Sequence, residues 1–304
     1  MNKIEDTMDL GITDQDIESI YAPYLLERFD LIDPRWMVEV ATRQKSFRKL
    51  RWQRQFMRFL GRKVGQSKDG VLSGYKNTWN KEDYSDLLGK RYPCVWRNEG
   101  FISHSRGTLR VHQLHHFRAM AKLVPKRVLE VGCGASNHLF AMAARFPEVD
   151  FTGVELTPEG IETARRLQDD PTLPDIFGEF SPEPLQDVGA HKRVKLIQGD
   201  AENMEFEDGA FDYVYTSLAL EQMESIRDSA LREIIRVGSK WFVFCEPWRD
   251  CNESGVRRDY IVAKNYFAAR VDDLRKYGLE PVFYSEDFPH KMNLGVGFVI
   301  AKKT

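Results

Sequence analysis

A carboxylate and two glycines follow closely on one another in the segment "VLEVGCGASNHL", which begins at Val128. The apolar residues before them are typical of a buried strand, and the residues after them are typical of a helix. Glycine leaves room for a ligand to approach the main chain, and the N–H groups at a helix start favour anionic groups. Glu130, Gly132 and Gly134 therefore predict a turn that binds a nucleotide-like cofactor.

Two classes of cofactor use a glycine turn between a strand and a helix. A dinucleotide-binding fold needs a third glycine where this chain has Asn137, so that pattern fails. A fold that binds adenosylmethionine needs a carboxylate just before the glycines, and Glu130 supplies it. This motif is weak by itself, because glycine-rich turns are frequent in proteins.

Two further carboxylates stand at the ends of the next two predicted strands. Glu155 ends the apolar run of "DFTGVE" and can accept hydrogen bonds from ribose hydroxyls. It can equally be a solvated carboxylate at a helix start, since Thr157 and Pro158 are favourable there. Asp200 and Ala201 favour the first interpretation, because an acid after the third strand can accept a hydrogen bond from an adenine amine.

The order of predicted elements indicates an α/β fold. From position 127 onward, β-rich runs alternate with helical segments, a pattern typical of βαβ units in a mainly parallel sheet. The predicted strands are Arg127–Val131, Asp150–Glu155, Val194–Gln198, Phe211–Tyr215 and Trp241–Cys245, followed by an antiparallel pair, Pro281–Ser285 and Gly295–Lys302. The predicted helices in this region are Asn137–Arg145, Pro158–Gln168, Ser225–Val237 and Asp259–Tyr277. Residues 1–95 are predicted to form a helical extension, with helices Asp14–Arg28 and Pro34–Val64, and residues 96–304 the cofactor-binding domain.

With its motifs in this order, the chain resembles the class I S-adenosylmethionine-dependent methyltransferases, in the small-molecule group with a type 11-like domain. The resemblance covers about residues 110–304 and rests on "LEVGCGAS", "GVELTPEG", "QGDAENMEF" and "FDYVYTSLALEQM" followed by "LREIIRV". It implies a Rossmann-like, seven-stranded, mostly parallel sheet with an antiparallel last strand. It also implies S-adenosyl-L-methionine as cofactor and S-adenosyl-L-homocysteine as product, held at the carboxyl ends of the first four strands.

The resemblance implies a role for each motif residue. The residues that would bind the cofactor are Glu130, Gly132, Cys133, Gly134, Ser136, Glu155, Leu156, Asp200, Ala201, Thr216 and Leu218. The glycine motif would frame the methionine part, Glu155 would take the ribose, and Leu156 would pack on the adenine. Asp200 and Ala201 would bind the edge of the adenine, and residues 216–218 would line the floor near the sulfonium. Ser136 replaces the third glycine of the motif, which a helix start tolerates.

Methyl transfer requires a nucleophile held in line with the sulfonium methyl group. Positioning can supply about 7–11 kcal/mol, and a general base adds about 10²–10⁴-fold, so a base is useful but not obligatory. Many members of the family carry histidine after the fourth strand, where this chain has Glu221. Glu221, His115 and His116 are therefore the catalytic candidates, and His112 of the same helix is a further candidate. The histidines are candidates because the corresponding helix of the family covers the cofactor, so one of the three could face the reacting atom. Glu246, at the end of the fifth strand, is predicted to face the same mouth.

The three histidines at 112, 115 and 116 share a helical face, which is also a spacing that suits metal binding. No nearby Asp or Cys completes a site, so no metal is predicted. A packed or surface position is the alternative for each of these histidines.

The amino-terminal segment is the second region where function is expected. As a helix it places Arg51, Arg54, Arg58 and Arg62 on one face, and Trp52, Phe56, Phe59, Leu60 and Val64 on much of the opposite side. The favoured interpretation is a cap that packs its apolar side on the core, with the arginines in water. The alternative is that the arginine face binds phosphate, from a phosphate-bearing acceptor, an anionic membrane surface or RNA. A net charge of -2 and the lack of a stacking motif argue against nucleic acid.

Length and composition fit a globular protein with material for a large core. The chain has 304 residues, of which 42% are apolar and 30% charged. No run approaches the roughly eighteen apolar residues of a membrane span, and the polar start lacks the core of a signal peptide. The four cysteines form neither a zinc pattern nor a disulfide framework. We therefore expect a cytoplasmic protein, and a homo-oligomer remains open.

The predicted function is methyl transfer to oxygen or nitrogen of a small or medium-sized acceptor. Two alternatives stay open: a module that holds the cofactor without turnover, and a nicotinamide-dependent oxidoreductase, which Asn137 and Asp200 disfavour. Residues 169–192 form a longer link than this fold requires. Such links lie at the end of the sheet opposite the ligand, so we expect a contact surface or plain loop rather than a substrate lid.

Overall fold

A seven-stranded sheet forms the centre of the protein, and a four-stranded sheet lies beside it. The computed structural model describes residues 8–61 and 89–304. The strands are β1 (Leu25–Asp30), β2 (Arg91–Trp96), β3 (Glu99–His104), β4 (Arg127–Val131), β5 (Asp150–Glu155), β6 (Lys195–Gln198), β7 (Phe211–Ser217), β8 (Gly238–Glu246), β9 (Leu279–Ser285), β10 (His290–Lys291) and β11 (Gly297–Lys303). The order is β6-β5-β4-β7-β8-β11-β9 in the large sheet and β1-β3-β2-β10 in the small one.

The large sheet confirms the predicted α/β fold. Strands β4 to β8 are parallel to one another, and β11 runs antiparallel to both β8 and β9. Val128, Leu129 and Val131 of β4 have no exposed surface. Parallel strands are covered on both faces, so their sequences read as continuous apolar runs. That is why the sequence located β4 and β5 to the residue.

Eight α-helices connect and cover the sheets in the described residues. They are α1 (Asp14–Tyr21), α2 (Pro34–Phe59), α3 (Ser105–Leu123), α4 (Asn137–Arg145), α5 (Pro158–Asp169), α6 (Asp175–Phe180), α7 (Arg227–Val237) and α8 (Gly255–Lys264). The described residues contain no helix that is both long and apolar enough to cross a membrane.

The amino-terminal region is not only helical, which corrects the prediction. β1, β2 and β3 form an antiparallel sheet, and β10 from the carboxyl-terminal region pairs with β2. The boundary predicted at residue 95 falls inside β2, whose Val95 pairs with His290. Local patterns could not reveal a partner strand that lies almost two hundred residues further along the chain.

The predicted helix Asp14–Arg28 is also shorter than expected. α1 ends at Tyr21, a 3₁₀ turn follows at Ala22–Tyr24, and the chain then continues as β1. Pro23 lacks the N–H group that an α-helix would need at this position. The predicted helix Asp259–Tyr277 is likewise interrupted: α8 ends before Asn265, which is left-handed at φ 57°, and a 3₁₀ segment covers Val271–Tyr277.

Helix α2 presents its faces opposite to the prediction. Arg54 donates a hydrogen bond to the Ala263 carbonyl and Arg48 pairs with Asp259, so the basic side contacts α8. The side chains of the predicted apolar face are instead exposed, among them Trp52 (65%) and Phe59 (85%). Arg62 and Val64 lie outside the described residues, as does the side chain of Arg58. Which side of a helix is buried depends on its neighbour, and here the neighbour is α8 rather than the sheet.

Candidate functional site

A cavity of about 390 Å³ opens at the carboxyl ends of β4 to β7. Ten of the eleven predicted cofactor-binding positions line it: Glu130, Gly132, Cys133, Gly134, Ser136, Glu155, Leu156, Asp200, Ala201 and Leu218. The carboxyl ends of parallel strands meet at one edge of the sheet, which is why motifs far apart in sequence converge here.

Gly132 and Gly134 form the turn between β4 and α4. Their φ angles are 78° and 54°, in the left-handed region that glycine adopts without strain. A Cβ atom on Gly132 would lie 2.6 Å from the Cβ of Ala219, so a larger residue does not fit. The amide of Gly132 donates to the carbonyl of Val154 in the neighbouring strand, at 2.8 Å. The turn is therefore fixed, and its main chain is bare toward the cavity.

Glu155 ends β5 with 8% of its surface exposed. One carboxylate oxygen accepts from the amide of Gly134 at 3.0 Å. The other accepts from the amide and the hydroxyl of Thr157, at 2.9 and 2.6 Å. Two carboxylate oxygens offer about four acceptor positions, so capacity remains for a further hydroxyl donor. Glu155 thus links the glycine turn to the start of α5 and still faces the cavity.

Glu130 is 3% exposed and lies at the other side of the glycine turn. Its Oε2 accepts a hydrogen bond from the Tyr215 hydroxyl at 2.9 Å, and its Oε1 lies 3.8 Å from His138 Nδ1. Burial and the neighbouring Glu130 carboxylate raise the pKa of Tyr215 well above its ordinary value. Tyr215 therefore remains a protonated donor that holds this carboxylate in place.

The end of β7 forms the floor of the cavity, with one change from the prediction. Ser217, Leu218 and Ala219 line it, whereas Thr216 is fully buried and does not. Side chains alternate along a strand, so neighbouring positions point to opposite faces. The prediction that Thr216 lines the floor does not agree with this placement, and Ser217 takes that position.

Glu246 supports the floor from below. It has no exposed surface, and its Oε1 accepts from the amides of Ala219 and Leu220, at 3.0 and 3.2 Å. Burial raises its pKa to about 8, and the nearby Glu221 carboxylate adds to this shift. The prediction that Glu246 faces the mouth of the cavity is therefore wrong, because the side chain stabilises the turn that bears Leu220.

Glu221 is not among the residues that line the cavity, although the next residue, Gln222, is. The side-chain amide Nε2 of Gln222 donates to Glu221 Oε1 at 2.9 Å. Burial of the carboxyl group raises the pKa of Glu221 to about 7. The side chain is thus close to the cavity wall without facing the cavity.

His115 and His116 belong to the core rather than to the cavity wall. They are 2% and 0% exposed, and His115 Nδ1 bonds the Val111 carbonyl at 2.9 Å. The rings of both pack on Phe298, with centroid distances of 5.3 and 4.9 Å. Burial lowers the pKa of His115 to about 4 and that of His116 well below its ordinary value. Neither His115 nor His116 is therefore placed to act as a base on a ligand in the cavity.

His112 is the histidine of this helix that reaches the cavity. It is 5% exposed, and neither ring nitrogen has a hydrogen-bond partner among the described residues. Burial lowers its pKa well below the ordinary value, so the ring is neutral at pH 7. In residues 8–61 and 89–304, no three His, Cys, Asp or Glu side chains are grouped closely enough to hold a metal ion.

Two groups of lining residues were not predicted. Helix α3 contributes Arg106, Leu109 and Gln113 beside His112, and α6 contributes Ile176, Phe177 and Phe180. The second group corrects the expectation for residues 169–192, because α6 closes one side of the cavity instead of lying at the opposite end of the sheet. The spacing of 106, 109 and 113 was a helical signal, but α3 is buried on several sides, so its cavity face is not distinct in sequence.

A family model described as "Methyltransferase domain" matches residues 129–240. This segment runs from the glycine turn through the cavity floor to the start of β8. Residues 129–240 are thus similar to a methyltransferase domain, which agrees with the predicted class I S-adenosylmethionine-dependent fold. This match supports S-adenosyl-L-methionine, the cofactor that the motifs predict.

Curated relatives agree with the match to a methyltransferase domain, and a solved structure shares the fold. Norajmaline N-methyltransferase of Rauvolfia serpentina is 26% identical over 38% of this chain and 33% of its own length. Fatty-acid O-methyltransferase of Mycolicibacterium smegmatis is 33% identical over 34% of this chain and 30% of its own length. The chain thus spans about a third of the length of these curated relatives. The solved structure of the [4+2]-cyclase SpnF has the same fold, with a TM-score of 0.54 and 18% identity over 79% of this chain and 97% of that one.

Proposed function

We propose that this chain transfers the methyl group of S-adenosylmethionine to an oxygen or nitrogen of a small or medium-sized acceptor, which attacks the sulfonium methyl in line. One observation carries the proposal. Three carboxylates from three strand ends, Glu130, Glu155 and Asp200, line one cavity together with the bare main chain at Gly132. A volume of about 390 Å³ is within the range of small-molecule sites.

The polar groups that line the cavity fit this cofactor. Its sulfonium and ammonium groups are cationic, and the three carboxylates supply the negative charge that attracts them. Its ribose hydroxyls are donors, for which Glu155 keeps acceptor capacity beside its bonds to Gly134 and Thr157. Gly132 and Gly134 line the cavity and have no side chains, so a ligand can approach their main chain closely. When bound, the cofactor supplies an activated methyl group.

In this proposal the chain mainly positions the two reactants. Glu130 and the glycine turn, including Cys133 and Ser136, hold the methionine part, and Glu155 holds the ribose. Leu156 packs on the adenine, while Asp200 and Ala201 bind its edge. Ser217 and Leu218 support the methyl group from the floor. Excluding water from a site that is largely enclosed by α3 and α6 strengthens each of these polar contacts.

The proposed reaction proceeds without His115, His116 or Glu221 as general base. His112 takes their place as the one proton acceptor of α3 that lines the cavity. Its low pKa keeps the ring unprotonated but makes it a weak base. An acceptor that arrives as a free amine or an anion needs no base, and the geometry suits such an acceptor best.

The relatives support both oxygen and nitrogen as the methylated atom, since one is named an N-methyltransferase and one an O-methyltransferase. The alternative is a module that holds the cofactor without methyl transfer. A protein described as a [4+2]-cyclase shares the fold, so the fold alone does not establish the reaction. The oxidoreductase alternative has weaker support, because Asn137 interrupts the dinucleotide pattern.

The remaining expectations keep the status of predictions. They are the phosphate-bearing acceptor, the peripheral membrane contact through the arginine face, the homo-oligomer, the cytoplasmic location and the division of the chain into two domains.

Binding measurements on the wild type and Glu155→Ala test the proposal. At about a hundred times its dissociation constant, S-adenosylmethionine or S-adenosylhomocysteine should add about 2.7 kcal/mol to the free energy of unfolding. Losing a charge-assisted hydrogen bond should weaken binding about tenfold or more in Glu155→Ala. Thermal unfolding and isothermal titration calorimetry report both effects.

Glu162→Ala is the matched control, because Glu162 is exposed on α5 just beyond the cavity residues and should leave binding unchanged. Stabilisation by NAD but not by S-adenosylmethionine would contradict the cofactor. Binding without a methylated product across a broad panel of amines, phenols and carboxylates would favour the non-catalytic module.

A further inference from the structure

Arg106 is the only lysine or arginine among the described residues that line the cavity. The other charged groups there are the carboxylates Glu130, Glu155 and Asp200. The cavity therefore has an acidic part at the strand ends and a single cationic side chain on α3. A charge that is isolated in this way indicates where a ligand of opposite charge would bind.

The guanidinium of Arg106 has no carboxylate partner among the described residues. The guanidinium carbon lies over the ring of Phe180, 5.8 Å from the ring centroid, which is a cation–π contact. An aromatic ring holds a guanidinium by its face and leaves the N–H groups free to bind. By contrast Arg110, one turn further on, donates to the Ser181 carbonyl and does not line the cavity. The contact with Phe180 therefore orients the Arg106 side chain, and no carboxylate of the described residues neutralises its charge.

Buried polar groups on the same side of α3 also lack partners. Gln113 is 2% exposed, lines the cavity, and its Oε1 has no hydrogen-bond partner in the described residues. The same holds for both ring nitrogens of His112. An unpaired buried polar atom costs about 1–3 kcal/mol, so these atoms point to a polar ligand that completes them.

Arg106 and Gln113 line the cavity at different positions along α3. Seven residues of helix, at about 1.5 Å each, place Arg106 roughly 10 Å from Gln113. The side chains of Leu109, Ile176 and Phe180 line the wall on this side. A ligand bound at Arg106 therefore combines an anionic group with an apolar body.

We propose that Arg106 is the carboxylate-binding group of this cavity, and that Leu109, Ile176 and Phe180 contact the apolar body of the molecule that bears the carboxylate. A guanidinium binds a carboxylate through two parallel hydrogen bonds, a geometry that lysine does not reproduce. This inference rests on the proposed function, because it takes the molecule that bears the carboxylate to be the methyl acceptor. The cofactor carries a carboxylate as well, but the apolar side chains of Leu109, Ile176 and Phe180, which line the same cavity, suit a carboxylate on an apolar acceptor.

Calorimetric titration of the full chain with small probes tests this assignment. Octanoate and its neutral analogue octanamide probe the acceptor side, with and without S-adenosylhomocysteine. S-adenosylhomocysteine and methylthioadenosine, which lacks the amino-acid part, probe the cofactor side. Each probe is titrated into the wild type, Arg106→Met, Arg106→Lys and Lys122→Met. Lys122 is exposed on the same helix, so Lys122→Met removes an equal charge away from the cavity.

Octanoate should bind the wild type about tenfold or more tightly than octanamide, and Arg106→Met should abolish that difference. Arg106→Lys should retain part of the difference in affinity between octanoate and octanamide, and Lys122→Met should retain all of that difference. If Arg106→Met instead weakens S-adenosylhomocysteine about tenfold and spares methylthioadenosine, the bound carboxylate is that of the cofactor. No preference for octanoate together with unchanged S-adenosylhomocysteine binding would overturn the proposal. Failure of both nucleosides to bind the wild type would refute the proposed function, whereas the octanoate titration of the protein alone does not depend on it.

Discussion

At the scale of single residues, the carboxylates at the strand ends form two groups. Some line the cavity, and Glu246 is enclosed completely by the protein. Glu155 lines the cavity, whereas Glu246 has no exposed surface and holds the amides of Ala219 and Leu220. Burial raises the pKa of Glu246 to about 8, far above the ordinary value of 4.5. The folded protein then retains a proton that the unfolded chain releases above pH 4.5. Stability is therefore lost as the pH rises from about 4.5 to about 8.

Glu246→Gln should remove this loss, since the amide keeps the Oε1 acceptor and cannot ionise. Relative to the wild type, the free energy of unfolding of the variant should rise by up to about 1.4 kcal/mol per pH unit between about pH 5 and 8. Urea unfolding at several pH values measures this difference. A difference that stays constant over the range would show that Glu246 titrates normally. Glu162→Gln, at an exposed position, serves as the control.

At the scale of elements, α6 is the least expected part of the cavity wall. It belongs to the long link after α5 and contributes Ile176, Phe177 and Phe180. A short helix on a surface link opens locally at lower cost than the sheet does. A ligand that contacts α6 only while the helix is folded in place would shift the equilibrium away from the locally opened state.

S-adenosylhomocysteine at saturation should therefore slow chymotrypsin cleavage after Phe177 and Phe180 by about tenfold. Mass spectrometry of the fragments over time measures both rates. The exposed aromatic residues Trp52 and Phe56 of α2 provide an internal control, because they do not line the cavity and their cleavage should not change. Equal protection at both places would indicate a global effect instead of contact with α6.

At the scale of the whole molecule, the small sheet is joined to the methyltransferase domain by residues from the far end of the chain. His290 and Lys291 of β10 pair with Val95 and Cys94 of β2. Arg97 bridges both regions, donating to Asp14 at 2.7 Å and to Asp287 at 2.6 Å. One edge strand of the small sheet is therefore supplied by the segment between β9 and β11 of the large sheet.

We expect one cooperative unfolding transition for the whole chain because of these connections. Scanning calorimetry should give a single peak in which the calorimetric and van't Hoff enthalpies agree. Circular dichroism at a helical wavelength and intrinsic tryptophan fluorescence should report the same midpoint. Two separated transitions would mean that the small sheet folds independently of the large one.

The sequence by itself determined the strands of the large sheet and the part of the cavity at their carboxyl ends. β4 and β5 are continuous apolar runs because both faces of a parallel strand are buried. Glu130, Gly132 and Glu155 follow those strands directly, so predicting the strand ends also located these residues. Local chemistry is sufficient wherever a residue's function depends on its position at the end of its own strand.

Only the tertiary structure determined which residues outside the strand ends line the cavity. His112, His115 and His116 share one helical face in sequence, yet only His112 lines the cavity, because Phe288 and Phe298 surround His115. α6 reaches the cavity and α2 exposes Trp52 for the same reason, since each orientation is set by a distant neighbour. Periodicity defines which residues share a face, and packing between distant segments determines what that face contacts.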